Sequence, residues 1–234
     1  MDNKRVVLQS THVDEGVDKT LGKVFDLLLD HYGPQHWWPA DDPFEVIIGA
    51  ILTQSTAWRN VEKAIANLKV RGLLSPEGLM ALSIHELAEL IRSSGYYNAK
   101  AAKIKSFLLW FKERHDNDLN KLAVLDVSEL RQQLLMVKGI GEETADSIIL
   151  YALDKPIFVI DAYTRRVVSR LGIAPLHDRY EDYQKLFMNH LPCDVAMFNE
   201  YHALLVRHGK EICKKQPVCE GCYISSLCRH FAPV

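Results

Sequence analysis

The chain has 234 residues, 48% of them hydrophobic and 25% charged, and a formal net charge of −2. That is ordinary globular composition, with material for one large or two small domains. The near-neutral total excludes a globally basic protein, and the absence of an apolar run of about 18 residues excludes a membrane-spanning helix.

The opening MDNKRVVLQSTHVDEG lacks an apolar core followed by a small-residue cleavage site, so it reads as a cytosolic start. Val17, Leu21, Val24, Phe25, Leu28 and Leu29 recur at helical spacing until Gly33-Pro34. Asp41-Asp42-Pro43 is a start signal, and the following FEVIIGAILTQ is apolar nearly all round, as suits a central buried helix. Thr56 can cap a helix with Val61, Ala64, Ile65 and Leu68 inward. Ser75-Pro76 starts a short helix, and Ser83 with Glu86 forms a capping box for one that stops at Gly95. Asn98 begins a longer helix with Ala102, Ile104, Phe107, Leu108 and Phe111 inward. Asp126 to Glu129 repeats the capping signature. PIFVI at 156–160 is the best strand candidate but too isolated to found a sheet; helical patterns follow at 162–171, 180–191 and 195–208. The expectation is an all-α protein.

Local charge is more informative than the total. Lys100, Lys103, Lys105, Lys112 and Arg114 form one basic run, Arg165, Arg166 and Arg170 a second, and Arg207, Lys210, Lys214 and Lys215 a third. Each alone reads as a solvated helix face; they become a footprint only beside a DNA-binding motif. Four of the five cysteines crowd the C-terminus as C-x5-C-x2-C-x5-C: Cys213, Cys219, Cys222 and Cys228. Clustering of this kind argues for a metal site in a reducing compartment, and on spacing alone zinc and a [4Fe-4S] cluster are both open. Cys193 reads as a small core residue.

Between two helical patterns lies Val137-Lys138-Gly139-Ile140-Gly141. Glycines permit positive φ and a close backbone approach, and amides opening the next helix, near Glu142, favour an anion such as a phosphate. A plain αα-corner would read the same way. Asp161 follows, just ahead of a helix, where an aspartate is ordinarily an N-cap.

Taken together, VKGIGEETA followed by VIDAYTRRV resembles the helix-hairpin-helix and catalytic-aspartate signature of the endonuclease III superfamily of DNA glycosylases. DPFEVIIGAILTQST resembles that family's buried helix leading to a DNA-inserting glutamine, SSGYYNAKAAKI its second inserting loop, and HGKEICKKQPVCEGCYISSLC its iron–sulfur segment. The resemblance runs from about Asp41 to Cys228. It implies a two-domain helix-hairpin-helix glycosylase fold with a cleft: a six-helix barrel over 40–155, and a second helical domain from 1–39 and 156–234 carrying the cluster loop.

The same resemblance assigns roles. Asp161 is the carboxylate that stabilises charge on the sugar or activates water. Lys138, Gly139, Ile140 and Gly141 contact DNA; Gln54 and Tyr96 enter the duplex around a flipped base. The four cysteines hold a [4Fe-4S] cluster. Glu143 stands where lyase-competent members carry a lysine, and a carboxylate cannot form their Schiff base, so a monofunctional enzyme is expected. WWP, LTQST with a nearby aromatic, GYYNAKA and GIGxExAD resemble the 3-methyladenine branch, although that branch can lack the cysteines. Trp37, Trp38 and Trp58 would then form an aromatic pocket for a cationic alkylpurine. The expected partner is damaged double-stranded DNA, met in the cytoplasm at the nucleoid, by a monomer that makes no membrane contact. The alternatives are a glycosylase for oxidised or deaminated pyrimidines, with or without lyase activity, and a non-catalytic iron–sulfur DNA-binding protein.

Overall fold

The computed structural model describes the backbone of residues 10–231 and the side chains of residues 16–231; the first nine residues of the stretch read as a cytosolic start lie outside it. Every regular element among the described residues is helical. The chain divides into two compact units, Trp38–Pro156 and Met1–Trp37 with Ile157–Val234.

The unit Trp38–Pro156 holds α2 (Pro43–Leu52), α3 (Trp58–Val70), α4 (Pro76–Ala81), α5 (Ile84–Leu90), α6 (Tyr97–His115), α7 (Leu119–Ala123), α8 (Val127–Leu135) and α9 (Glu142–Ser147). The Asp42 carboxylate accepts the Glu45 amide at 2.9 Å and Pro43 supplies the first-turn φ, which fixes where α2 starts. Every residue of α2 from Phe44 to Leu52 is buried. Burial of each large aliphatic side chain stabilises the unit by roughly 1.5–3 kcal/mol, so this helix is the centre of the core. Glu45, though acidic, is buried; it accepts the Asp41 amide at 3.0 Å and pairs with Lys69 at 2.6 Å.

Two local expectations are corrected here. Thr56 is not the cap of α3: the chain enters through Ala57 after a left-handed Ser55 (φ 53°), and no side chain closes that end. On α6, Ala102 faces solvent; the buried stripe is Lys100, Ala101, Ile104, Phe107, Leu108 and Phe111. A lysine in that stripe hid its phase from a reading based on apolar residues.

The other unit holds α1 (Ser10–Tyr32), α10 (Ala162–Leu171), α11 (Tyr180–His190) and α12 (Val195–Glu211). Phe158 stacks on Phe187 at 3.9 Å between ring centroids, and Phe198 and Tyr201 meet Phe158 edge-on. PIFVI forms no strand. Ile157 to Ile160 is a buried connector, and side chains of α11 and the residue opening it take the place of a partner strand: Gln184 donates to the Phe158 carbonyl at 2.8 Å, and the Tyr180 hydroxyl accepts the Ile160 amide at 3.2 Å.

Candidate DNA interface and active site

In the unit Trp38–Pro156, three segments meet in one hydrogen-bond network. Gln54 lies two residues beyond α2, and its Nε2 donates to the Gly139 carbonyl at 3.2 Å and to Thr144 Oγ1 at 2.9 Å. Its Oε1 accepts from Lys103 Nζ on α6. Gly139 has φ +94°, and a Cβ there would overlap the Lys103 side chain, so this position requires glycine twice over. The glutamine, the second turn of α6 and the α8–α9 turn are thereby tied together. Val137 and Ile140 are buried and anchor the turn, while Lys138, Gly139 and Gly141 are exposed. Lys103 was visible in the sequence only as one member of a basic run.

The helix starts of this unit fall into two sets. α2, α4, α5, α7 and α8 begin on Asp42, Ser75, Ser83, Asp118 and Asp126, each accepting an amide of its own first turn. α3, α6 and α9 begin on Ala57, Tyr96 and Gly141 with no side-chain cap. Those three starts adjoin the Gln54 loop, the Tyr96 loop and the glycine turn. Their first amides therefore have no side-chain acceptor from the cap position.

Tyr96 is 75% exposed and left-handed, with φ +46°. A bulky residue held there costs about 1 kcal/mol or more. The strain holds an aromatic ring out in solvent at the head of α6.

Several members of the basic runs bond to the chain itself, while Lys112, Arg114, Lys210, Lys214 and Lys215 are exposed. Lys100 is buried, and Lys105 donates to the carbonyls of Leu79 and Met80 at 2.8 Å each and to that of Leu82. In the other unit, Arg166 donates to the Cys213 and Gly209 carbonyls at 2.7 and 2.9 Å, and Arg165 pairs with Asp178 at 2.8 Å.

Asp161 is half-buried and caps α10; its Oδ1 accepts the Thr164 amide at 2.7 Å, which fixes the orientation of the carboxylate. His202 of α12, buried, lies within its field: burial pushes the imidazole below its ordinary range, Asp161 pulls it back up, and Lys210 lowers it further. The Lys210 ammonium stands 5.8 Å from the Tyr163 ring and 6.0 Å from the Trp37 ring. Glu143 is exposed in the first turn of α9.

The structure brings together two of the three tryptophans read as a pocket. Trp38 and Trp58 meet edge-to-face at 5.0 Å, and Tyr151 lies 5.4 Å from Trp38. An open hollow beside them is lined also by Glu45, Glu62, Ile65 and Lys69. Gly49 lets α2 approach the indole, since a Cβ there would stand 3.2 Å from Trp38 Cζ2. Trp37 belongs to the other unit and meets Lys210 instead.

Cys213, Cys219, Cys222 and Cys228 line one narrow hollow, walled by Val167, Leu171, Ile212, Val218 and Ile224. Among the described residues, no three of His, Cys, Asp and Glu converge as a single metal ion would require. Beyond Ile212, only Cys213 and Ile224 are buried among the described residues. This loop has almost no core, so the thiols and Arg170 organise it. Arg170 donates to Cys213 Sγ at 3.2 Å and to the Lys214 and Lys215 carbonyls at 2.6 and 2.9 Å, while the Cys228 thiol reaches the Arg170 carbonyl at 3.3 Å. Burial raises the Cys222 thiol above its ordinary range, and its three sister cysteines add to this. A cation bound by these thiols would reverse that shift.

Residues 48–193 match the family model of the HhH-GPD superfamily of base excision DNA repair proteins. The chain is 45% identical, over 88% of its length and 94% of the relative's, to a Methanocaldococcus jannaschii protein provisionally named a DNA repair glycosylase. It is 30% identical to endonuclease III of Sulfolobus acidocaldarius, covering 80% of this chain and 82% of that one. Among solved structures, it superposes on an endonuclease III–DNA covalent intermediate with a TM-score of 0.77 at 23% identity, covering 91% of this chain and 96% of that one. It superposes on the Helicobacter pylori 3-methyladenine DNA glycosylase bound to 1,N6-ethenoadenine with a TM-score of 0.70 at 26% identity, covering 85% and 97%. With its all-helical fold, the chain belongs to the HhH-GPD superfamily of base excision DNA repair proteins and is a DNA glycosylase.

Proposed function

We propose that this glycosylase is monofunctional and removes alkylated purines such as 3-methyladenine from double-stranded DNA. The observation that carries the substrate class is the hollow beside Trp38 and Trp58, which combines two indoles with the Glu62 carboxylate and the Glu45–Lys69 ion pair. Aromatic faces, with the Glu62 carboxylate beside them, favour a base made cationic by ring alkylation. Such a base leaves as a neutral molecule, so the chain needs no strong acid to protonate it. In this reading the Asp161 carboxylate, oriented by its bond to Thr164, stabilises the positive charge that grows on the sugar, and water completes hydrolysis. Glu143 offers no amine, so an abasic site is left uncut.

Gln54 and Tyr96 fill the space of the flipped nucleotide. The uncapped starts of α3, α6 and α9, with Lys138, Lys214 and Lys215, meet phosphates. Cys213, Cys219, Cys222 and Cys228 hold a [4Fe-4S] cluster, which when bound supplies the core this loop lacks. A second reading, excision of oxidised or deaminated pyrimidines, is favoured by the cysteine cavity and by the likeness to endonuclease III relatives.

Replacing Trp38 or Trp58 by alanine should lower excision of 3-methyladenine about tenfold or more with little change in abasic-site binding, by loss of a cation–aromatic contact. Unchanged excision in both variants contradicts the pocket. Iron and acid-labile sulfide analysis tests the cluster: about four of each per chain is expected from the cluster type, and one zinc contradicts it.

A further inference from the structure

Lys100 is 2% exposed, among the largest fully buried side chains of the molecule. Its charge has no carboxylate partner among its hydrogen bonds. Nζ donates instead to two main-chain carbonyls, Leu52 at 2.9 Å and Ser94 at 2.6 Å. Burying an ammonium is unfavourable unless its donors are satisfied, and here the acceptors carry only partial charge. Desolvation, with the nearby Lys103, lowers Lys100 to about 8. So costly a group at the centre of the unit calls for a role.

The position of the two carbonyls supplies one. Leu52 is the last residue of α2, two residues before Gln54. Ser94 closes the 3-10 turn Arg92–Ser94, two residues before Tyr96. Both carbonyls belong to helix C-termini, where orphan acceptors and a negative end of the backbone dipole favour a cation. One ammonium therefore fastens the take-off points of both loops to α6. One turn further on, Lys103 of the same helix binds the Gln54 side chain and packs under Gly139. Neither loop is held by a strand or a disulfide, and each passes through a left-handed non-glycine residue, Ser55 and Tyr96.

We propose that Lys100 is a positioning residue: by bridging the Leu52 and Ser94 carbonyls it sets the spacing of the Gln54 and Tyr96 loops so that both side chains enter the duplex at one flipped nucleotide. The inference rests on the reading of Gln54 and Tyr96 given above. Lys100 touches no DNA and acts only through the two loops. Without it, each loop keeps its sequence and its side chain but loses its fixed distance from the other. Discrimination of a site with a gap in the stack then suffers, while phosphate-driven binding to intact duplex persists.

The test is a double-mutant cycle read by affinity. Lys100→Met, Gln54→Ala/Tyr96→Ala and their combination are each measured against duplex carrying a tetrahydrofuran abasic analogue and against the same duplex undamaged. Lys100→Met should lower the preference for the abasic duplex about tenfold, the scale of a lost charged hydrogen bond, and leave undamaged-duplex affinity unchanged. In the Gln54→Ala/Tyr96→Ala background it should have no further effect. An equal loss in both backgrounds would make Lys100 merely structural, and no loss in either would remove its role; both outcomes overturn the proposal. Should Lys100→Met fail to fold, Lys100→Gln, whose amide sits one bond short of the ammonium and cannot bridge both carbonyls, takes its place in the same cycle. If Gln54→Ala/Tyr96→Ala alone keeps the full abasic preference, the reading of those two residues fails, and this inference with it.

Discussion

Five helices of the unit Trp38–Pro156 start on an aspartate or serine that closes their first turn, and three start on Ala57, Tyr96 and Gly141, which do not. The first set serves the fold, since each cap contributes about 1 kcal/mol of stability. The second set gives up that stability where the chain carries Gln54, Tyr96 and the glycine turn. The difference separates helices closed by their own cap residue from helices whose cap position offers no side-chain acceptor. In the other unit α10 combines the two: Asp161 caps its helix and is the carboxylate proposed for chemistry.

The dual role of Asp161 gives the largest expected effect. Asp161→Asn keeps an oxygen for the Thr164 amide but removes the charge. Excision should fall at least about a hundredfold, on the scale of a lost transition-state electrostatic contact, with DNA affinity and melting temperature near those of the parent. Retained excision in a single-turnover assay would leave Asp161 as a cap alone. Gly139→Ala attacks the turn where φ is +94° and a Cβ meets Lys103. It should cost about 1–3 kcal/mol of stability and displace Gln54, weakening abasic-site binding; thermal unfolding and a binding isotherm would check both.

The contrast between capped and uncapped starts can be reversed directly. Ala57→Asp installs the missing cap on α3, so melting should rise, by about 0.5–1 kcal/mol of stability, while DNA affinity at low salt falls because a carboxylate now faces phosphate. Asp118→Ala should do the opposite, lowering stability without touching DNA binding. If Ala57→Asp leaves affinity intact, the α3 amides do not meet DNA.

A smaller effect concerns pH. His202 is buried, and its folded value lies below the ordinary 6.5. The unfolded chain therefore takes up the proton first as pH falls, so the stability this residue contributes is complete above 6.5 and declines as pH drops below it. His202→Gln should flatten that part of a melting-temperature profile measured between neutral and mildly acid pH; an unchanged profile would remove His202 as its source.

What could be read from the sequence was what is local. Asp42-Pro43, Ser75-Pro76, Ser83 with Glu86, and Asp126 start helices where the spacing placed them, because a cap and its amide lie within four residues. The helical fold class and the glycine turn were legible for the same reason. Direction was not legible. A basic run looks alike whether it meets DNA or the chain's own carbonyls, and Lys100, Lys105, Arg166 and Arg170 took the second course. Trp37 and Trp38 are neighbours in sequence, yet a unit boundary falls between them. PIFVI had the composition of a strand and lacked a partner strand, so side chains of Tyr180 and Gln184 satisfied its backbone instead.

The measurement that tests the central claim most directly is incubation of the purified protein with duplex DNA carrying methylated purines, with borohydride trapping in parallel. Release of 3-methyladenine, an alkali-labile but uncut strand and no trapped adduct are the predicted result, joining the Trp38–Trp58 pocket to the carboxylate at Glu143. A trapped covalent adduct, or excision confined to oxidised pyrimidines, would contradict it.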